Sequence, residues 1–202
     1  MPKIHAATVA DHRSQQRAAL LEAAREILTE GDASRVTFAE VARRTGLARN
    51  SVYKYFPDRR HLLTEVVREA TPRWTRRIHA ALAAAGESPE ARVAAFVTVQ
   101  LEMVRDGEHR IARATADDQD AAALRTGADE AHRALLSPLV DALRDLGDDA
   151  PAMSARLLQG FVNAATTALE AGGDFGAVTT RAVRLAVAAL QGIAPAGSGG
   201  HA

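Results

Sequence analysis

An all-α fold is predicted by three observations on this 202-residue chain. Apolar residues recur at the i, i+3, i+4, i+7 spacing of one helix face. No stretch sustains the period-two alternation of β-branched and aromatic residues that a half-buried strand needs. Punctuation falls between the periodic stretches, at Gly31, Gly46, Pro57 and Gly107 and in "GESP" and "GGDFG", where helices stop. With 47% of residues hydrophobic, the chain can build a core of useful size.

Taken in order, residues 1–13 read as a flexible, polar N-terminal arm. The first helix follows, its stripe formed by Leu20, Leu21, Ala24, Ile27 and Leu28, with Gly31 placed to end it in the left-handed conformation. Thr37 and Glu40 make a capping-box pattern that starts a second, short helix, and Val36 with Val41 fits a hydrophobic staple. Gly46 turns the chain near Thr45. A third helix is expected from about Ala48 to Tyr55, stopped by Pro57; Asp58 can cap a fourth, striped by Leu62, Leu63, Val66, Val67 and Ala70.

Pro72 should kink or end that fourth helix near Trp74. An Ala-rich segment to Ala85 follows, then a helix carrying Val93, Phe96, Val97, Leu101 and Val104. Residues 108–147 read as helical, with Pro138 inside the last good stripe. Two helices, near 152–171 and 177–193, close the fold, and the low-complexity tail 194–202 is expected to be disordered. The total is about nine helices.

Composition narrows the function. The chain has no cysteine, so disulfides, thiolate metal sites and a cysteine nucleophile are excluded. No apolar run nears the roughly eighteen residues of a membrane span, and the N-terminus lacks the apolar core of a signal peptide. The expectation is a cytoplasmic protein with no membrane association. Net charge is zero, yet residues 1–60 hold eleven Lys or Arg against seven Asp or Glu, a net of +4, and the remainder fourteen against eighteen, a net of −4. The N-terminal part is therefore the candidate for meeting an anion.

Residues 37–56 have the size and punctuation of a helix-turn-helix, with Phe38, Val41, Ala42, Leu47 and Val52 at its core positions. An amphipathic helix stands upstream, the turn is "TGL", the third helix ends "VYKYF", and "PDRRHLL" opens the fourth. Over about residues 14–67 this combination resembles the N-terminal domain of the TetR family of transcriptional regulators. Two departures from the family pattern are Ala48, where a serine cap is usual, and Arg59, where lysine is usual.

The resemblance implies a three-helix DNA-binding domain, 14–60, joined by the fourth helix to a C-terminal helical ligand-binding and dimerisation domain, 61–193. It implies a homodimer on double-stranded DNA, released by a small-molecule effector, and a repressor rather than an enzyme. The alternatives are a regulator controlled by a protein partner, and a helical binding module that does not meet DNA. No E-x-x-H pair, G-x-S-x-G, P-loop or G-x-G-x-x-G is present, and three D-x-x-H pairs (Asp58 with His61, Asp106 with His109, Asp129 with His132) are explained by coincidence. No cofactor, metal or catalytic residue is expected.

The start of the recognition helix, Arg49, Asn50 and Ser51, should reach base edges. Arg49 offers a fork to guanine O6 and N7, and Asn50 can pair with adenine. Tyr53, Lys54 and Tyr55 are placed for phosphates, with a partly buried core role as the alternative for Tyr53. Thr37 lies at a helix N-terminus that favours an anion, and Arg59 takes the position of the family's phosphate-binding lysine. Arg44 is a further candidate, or part of a solvated face.

In the C-terminal region the handles are polar groups on apolar helices. Gln100, His109, Arg113, His132, Asn163 and Thr167 are candidate ligand contacts, with Trp74, Phe96, Met103 and Phe161 as lining. Core packing or solvent exposure is the alternative for each. The dimer stripes are Leu157, Leu158 and Ala165 on one closing helix and Val183, Ala186, Val187 and Leu190 on the other. An intramolecular core would use the same stripes.

Overall fold

The computed structural model describes the backbone of residues 4–31, 33–116 and 122–192, and the side chains of 10–31, 33–114 and 133–192. Among the described residues there are nine α-helices and no strand. They are α1 (Ile4–Glu30), α2 (Phe38–Thr45), α3 (Arg49–Val52), α4 (Arg59–Ala84), α5 (Pro89–Arg105), α6 (His109–Ala116), α7 (Ala122–Asp145), α8 (Pro151–Glu170) and α9 (Phe175–Ala189). Short 3-10 turns at Ala33–Arg35 and Leu190–Gly192 complete the set. The expected tail, 194–202, lies outside the described residues.

The chain forms two compact units, Met1–Ala70 with Gly107–Ala128, and Thr71–Asp106 with Asp129–Ala202. In the first, α1 buries Leu20, Leu21, Ala24, Ile27 and Leu28, the stripe its spacing predicts. This face packs on α2 and on α6, which contributes Ile111 and Ala114. Val36, Phe38, Val41, Val52, Phe56, Leu62 and Leu63 fill the rest of that core. In the second unit α5, α8 and α9 pack against one another, around Phe96, Val97, Leu101, Leu139, Leu143, Leu158 and Ala186.

The division differs from the sequence reading of 14–60 and 61–193. The boundary falls within α4, after Ala70, and residues 107–128 return to the first unit. The return depends on Gly107, whose φ is +80° and whose missing Cβ would stand 2.5 Å from the Thr29 carbonyl oxygen. Arg110 donates to that same oxygen at 2.8 Å, and Arg25 pairs with Glu108 at 3.1 Å. This α6–α1 junction carries no signature in local sequence.

Other departures have local causes. The arm expected at 1–13 is helical from Ile4, since neither glycine nor proline interrupts the chain between Lys3 and Glu30. Gly31 follows the last residue of α1 but is not left-handed, whereas Gly46 is, at φ 70°. The α3 helix is four residues long rather than eight, and the chain continues through bonds from Tyr55 N and Phe56 N to Val52 O. Half of the capping box forms: Thr37 Oγ1 accepts from Glu40 N at 3.1 Å, but the Glu40 carboxylate turns to Arg43 and Arg44.

Pro72 does not end α4, which runs on to Ala84. A proline inside a helix costs about 3 kcal/mol. Beyond it, however, Trp74, Ile78 and Leu82 continue the stripe at four-residue steps and are all buried. Each such side chain stabilises by about 1.5–3 kcal/mol, so three together outweigh the proline. Pro138 is carried inside α7 in the same way, flanked by buried Leu136, Leu139 and Leu143.

Candidate nucleic-acid interface

The turn between α2 and α3 fixes which side chains face outward. Gly46 closes α2 by donating its N–H to Ala42 O, Leu47 N bonds the same carbonyl at 3.0 Å, and Ala48 opens α3 in extended conformation. No side chain caps α3, as the alanine at position 48 leads one to expect. Within that first turn, Ser51 N donates to Ala48 O at 2.8 Å. Val52 points inward, fully buried, leaving Arg49 and Asn50 exposed and Ser51 half-buried.

Basic side chains in the first unit sort by whether they have a partner. Arg17 pairs with Glu65 and Glu69, Arg25 with Glu22 and Glu108, Arg43 with Glu40, and Arg68 with Glu65. The side chains of Arg49 and Lys54 have no carboxylate partner or hydrogen bond among the described residues, and their cationic heads are available to an anion. Thr37 holds the N-terminus of α2, its hydroxyl already accepting one N–H.

Arg44 departs from the reading as a DNA contact. Its guanidinium is ringed by Glu40 at 3.2 Å, Glu30 at 2.6 Å and Glu26 at 3.7 Å, and its side chain is only 17% exposed. It ties α2 to the end of α1, and these bonds push its proton affinity above the ordinary arginine value. Hydrogen bonds from Arg43 and Arg44 lower the Glu40 carboxyl to about 2. Arg59 is likewise engaged, donating from Nε to Val36 O at 2.8 Å and from Nη2 to Ala33 O at 2.6 Å. It braces the start of α4 against the chain entering α2.

The two tyrosines take different places. Tyr53 is half exposed and sets its ring edge-on to Phe38, centroids 4.8 Å apart. Tyr55 donates its hydroxyl to Gln16 Oε1 on α1, and the Arg13 guanidinium stands 5.9 Å from its ring centre. Sequence reasoning missed Arg13 and Gln16 because the pairing spans thirty-nine positions. Asp58 caps α4 by accepting from His61 N at 2.8 Å, and these bonds hold its carboxyl below the usual range.

The candidate ligand residues divide between the units. Trp74, Phe96, Gln100, Met103, Phe161, Asn163 and Thr167 belong to the second, His109 and Arg113 to the first, and the His132 side chain lies outside the described residues. Phe96 is fully buried in the second core, and Phe161 packs against that core. Gln100 Nε2 donates to Gln159 Oε1 at 2.9 Å, and Gln159 Nε2 to Asn163 Oδ1 at 3.2 Å, a line of amides across α5 and α8. Asn163 and Thr167 are exposed, the solvent-facing alternative for these positions.

The expected dimer stripes also separate. Leu158, Ala165, Ala186 and Leu190 are buried in the core of the second unit, the intramolecular alternative for these stripes. Leu157 is 67% exposed, and Met153 and Leu185, missed in the sequence, are 56% and 48% exposed. Helical phase is the reason: Met153 and Leu157 lie four apart on the face opposite Ser154, Ala155 and Leu158. Val183 and Val187 are half-buried and, with Ala188, Arg184 and Glu90, line an open groove of about 650 Å³.

A family model described as bacterial regulatory proteins, tetR family, matches residues 20–66. An uncharacterised HTH-type transcriptional regulator of Mycobacterium tuberculosis is 30% identical over 150 residues, covering 74% of this chain and 72% of that protein. Among solved structures, a TetR transcriptional regulator from Rhodococcus sp. RHA1 superposes with a TM-score of 0.60 at 24% identity, covering 89% of this chain and 97% of the other. The transcriptional regulator FadR from Bacillus subtilis, solved with stearoyl-CoA, superposes with a TM-score of 0.68 at 17% identity, covering 84% and 97%. At these identities the structural likeness speaks for the fold.

Proposed function

The chain belongs to the tetR family of bacterial transcriptional regulators, and from that premise we propose that it is a homodimeric repressor of a palindromic operator, released by a small molecule. The observation that carries the reading is the exposed pair Arg49 and Asn50 at the start of α3, whose side chains have no partner among the described residues, beside half-buried Ser51. A helix-turn-helix presents this part of its second helix to base edges. Arg49 forks onto guanine and Asn50 onto adenine, while Lys54, Tyr53 and the N-terminus of α2 at Thr37 meet phosphates. Arg44 and Arg59 act indirectly, by fixing α1, α2 and α4 to one another.

One such unit makes few base contacts, and two-fold symmetry doubles them. Two recognition helices one duplex turn apart, roughly 34–36 Å, fit two half-sites on one face of DNA. The surface proposed to join the copies is built on the exposed apolar side chains of α8 and α9, Met153, Leu157 and Leu185. A protein that acts on the chromosome in this way works in the cytoplasm.

The effector is assigned to the second unit, near Phe96 and the Gln100–Gln159 amide pair. The chain crosses between the units after Ala70, after Asp106 and after Ala128, so three covalent links can carry a change from one to the other. Only a ligand with different affinity for the two states shifts their populations. Since the Bacillus subtilis neighbour was solved with stearoyl-CoA, long-chain acyl-CoA thioesters are the first probes to try.

Selection of bound sequences from random DNA tests the reading. The expected result is a two-fold symmetric site, with Arg49→Ala costing about 1–3 kcal/mol and relaxing the preference at one base pair of each half-site. An unchanged preferred sequence for Arg49→Ala would remove the base-reading role.

A further inference from the structure

Resting on the DNA-binding reading above, we propose that the DNA-contacting surface extends from α3 onto the N-terminal half of α1, where Arg13 contacts a backbone phosphate from a platform formed by Tyr55.

The first observation is the length of α1. It starts at Ile4, while its buried stripe begins only at Leu20, so residues 10–15 form an exposed helical extension ahead of the core. Helix made only of solvated turns is marginal, yet this one is held by side chains from the far end of the helix-turn-helix. Tyr55 donates to Gln16, Arg13 stands over the Tyr55 ring, and Arg17 lies 5.5 Å from the Phe56 ring centre while pairing with Glu65. Tyr55 is the last residue of the turn that follows α3, and Phe56 comes directly after it. Arg13 is thereby brought to the same end of the unit as Lys54.

The second observation is charge. Arg17, Arg25, Arg43, Arg44 and Arg68 are all neutralised by carboxylates, and Arg59 is taken up by main-chain carbonyls. Arg13 is exposed and, among the described residues, has no carboxylate partner. A guanidinium resting on an aromatic face spends none of its N–H groups there, and the planar fork stays directed outward for an oxyanion. Tyr55, whose hydroxyl proton goes to Gln16, supports the contact and does not donate to DNA itself. Tyr55 is then a positioning residue and Arg13 the contact.

The test uses the full chain and the duplex recovered by selection, with affinity measured from about 50 to about 300 mM KCl. Removing one phosphate-binding cation lowers the slope of log K against log salt by about 0.9. Arg13→Gln is expected to lower it by that amount for each protomer bound and to weaken all operator variants alike. Arg13→Lys should restore the slope. Tyr55→Phe should leave it unchanged, whereas Tyr55→Leu should reproduce the Arg13→Gln slope and add nothing in the double variant.

If Lys54→Ala lowers the slope by about 0.9 per protomer but Arg13→Gln keeps the wild-type slope, the α1 contact is wrong and the DNA-binding reading stands. If the wild-type chain itself selects no sequence, both fall together.

Discussion

Replacing Gly107 and Gly46 by alanine separates two costs that usually arrive together. Both glycines are left-handed, at φ 80° and 70°. An L-residue held there costs about 1–2 kcal/mol. A Cβ at Gly46 has nothing within 4 Å, so Gly46→Ala should cost only that amount. At Gly107 the added carbon stands 2.5 Å from Thr29 O and 3.2 Å from Thr29 C and Cα, all main chain. No rotamer can relieve such a clash, and either α6 or the end of α1 must move, which costs about 1–3 kcal/mol more. The clash also disturbs the Arg110 bond to the same oxygen. Gly107→Ala should therefore be the more damaging by at least about 1 kcal/mol in urea unfolding followed by far-ultraviolet circular dichroism at fixed protein concentration, with faster amide exchange confined to α6 and the end of α1. Equal losses for the two variants, or unchanged exchange in α6, would refute the claim that α6 is seated on α1 through the bare backbone of Gly107.

Further outcomes follow from the sorted side chains. Glu40 has a folded pKa of about 2, below its ordinary 4.5, so its ties to Arg43 and Arg44 stabilise the fold above about pH 4.5 and are lost as pH falls toward 2. Acid titration of stability should show Glu40→Gln losing part of the wild-type dependence in that window and little of it near pH 7 beyond a constant offset. Leu158→Ala, in the second core, should cost about 2–5 kcal/mol in unfolding experiments. Leu157→Arg, on the exposed side of the same helix, should leave the fold intact and shift sedimentation toward monomer. Arg44→Met should lower thermal stability while leaving the selected DNA sequence unchanged, since Arg44 is assigned to the α1–α2 tie.

Much of the fold is legible in the sequence because it depends on short-range pattern. The buried stripe of α1, the cap at Thr37, the turn at Gly46 and the Asp58 cap are each written within a few residues of one another. Pro72 misleads for the opposite reason: the local rule is sound, but Trp74, Ile78 and Leu82 overrule it through burial that sequence spacing alone does not weigh. Arg44 and Arg59 look like free cations until the fold brings Glu26, Glu30 and the Ala33 and Val36 carbonyls to them. Periodicity also marks apolar faces without saying which neighbour covers them. Leu157 and Leu158 are adjacent in sequence and opposite in environment, and only the packing of α5, α8 and α9 distinguishes them.

The seat of α6 on α1 also sets an order of assembly on the ribosome. Domains tend to fold as units as the chain emerges, N-terminal first. Here the first unit cannot close when α4 is finished, because Gly107–Ala116 has yet to be made and residues 71–106 come between. When α1 to α3 have been made, the apolar face that α6 covers is still open, and it stays so while the first part of the second unit is synthesised. The DNA-reading end of this protein is the earliest to be translated and cannot be the earliest to be complete.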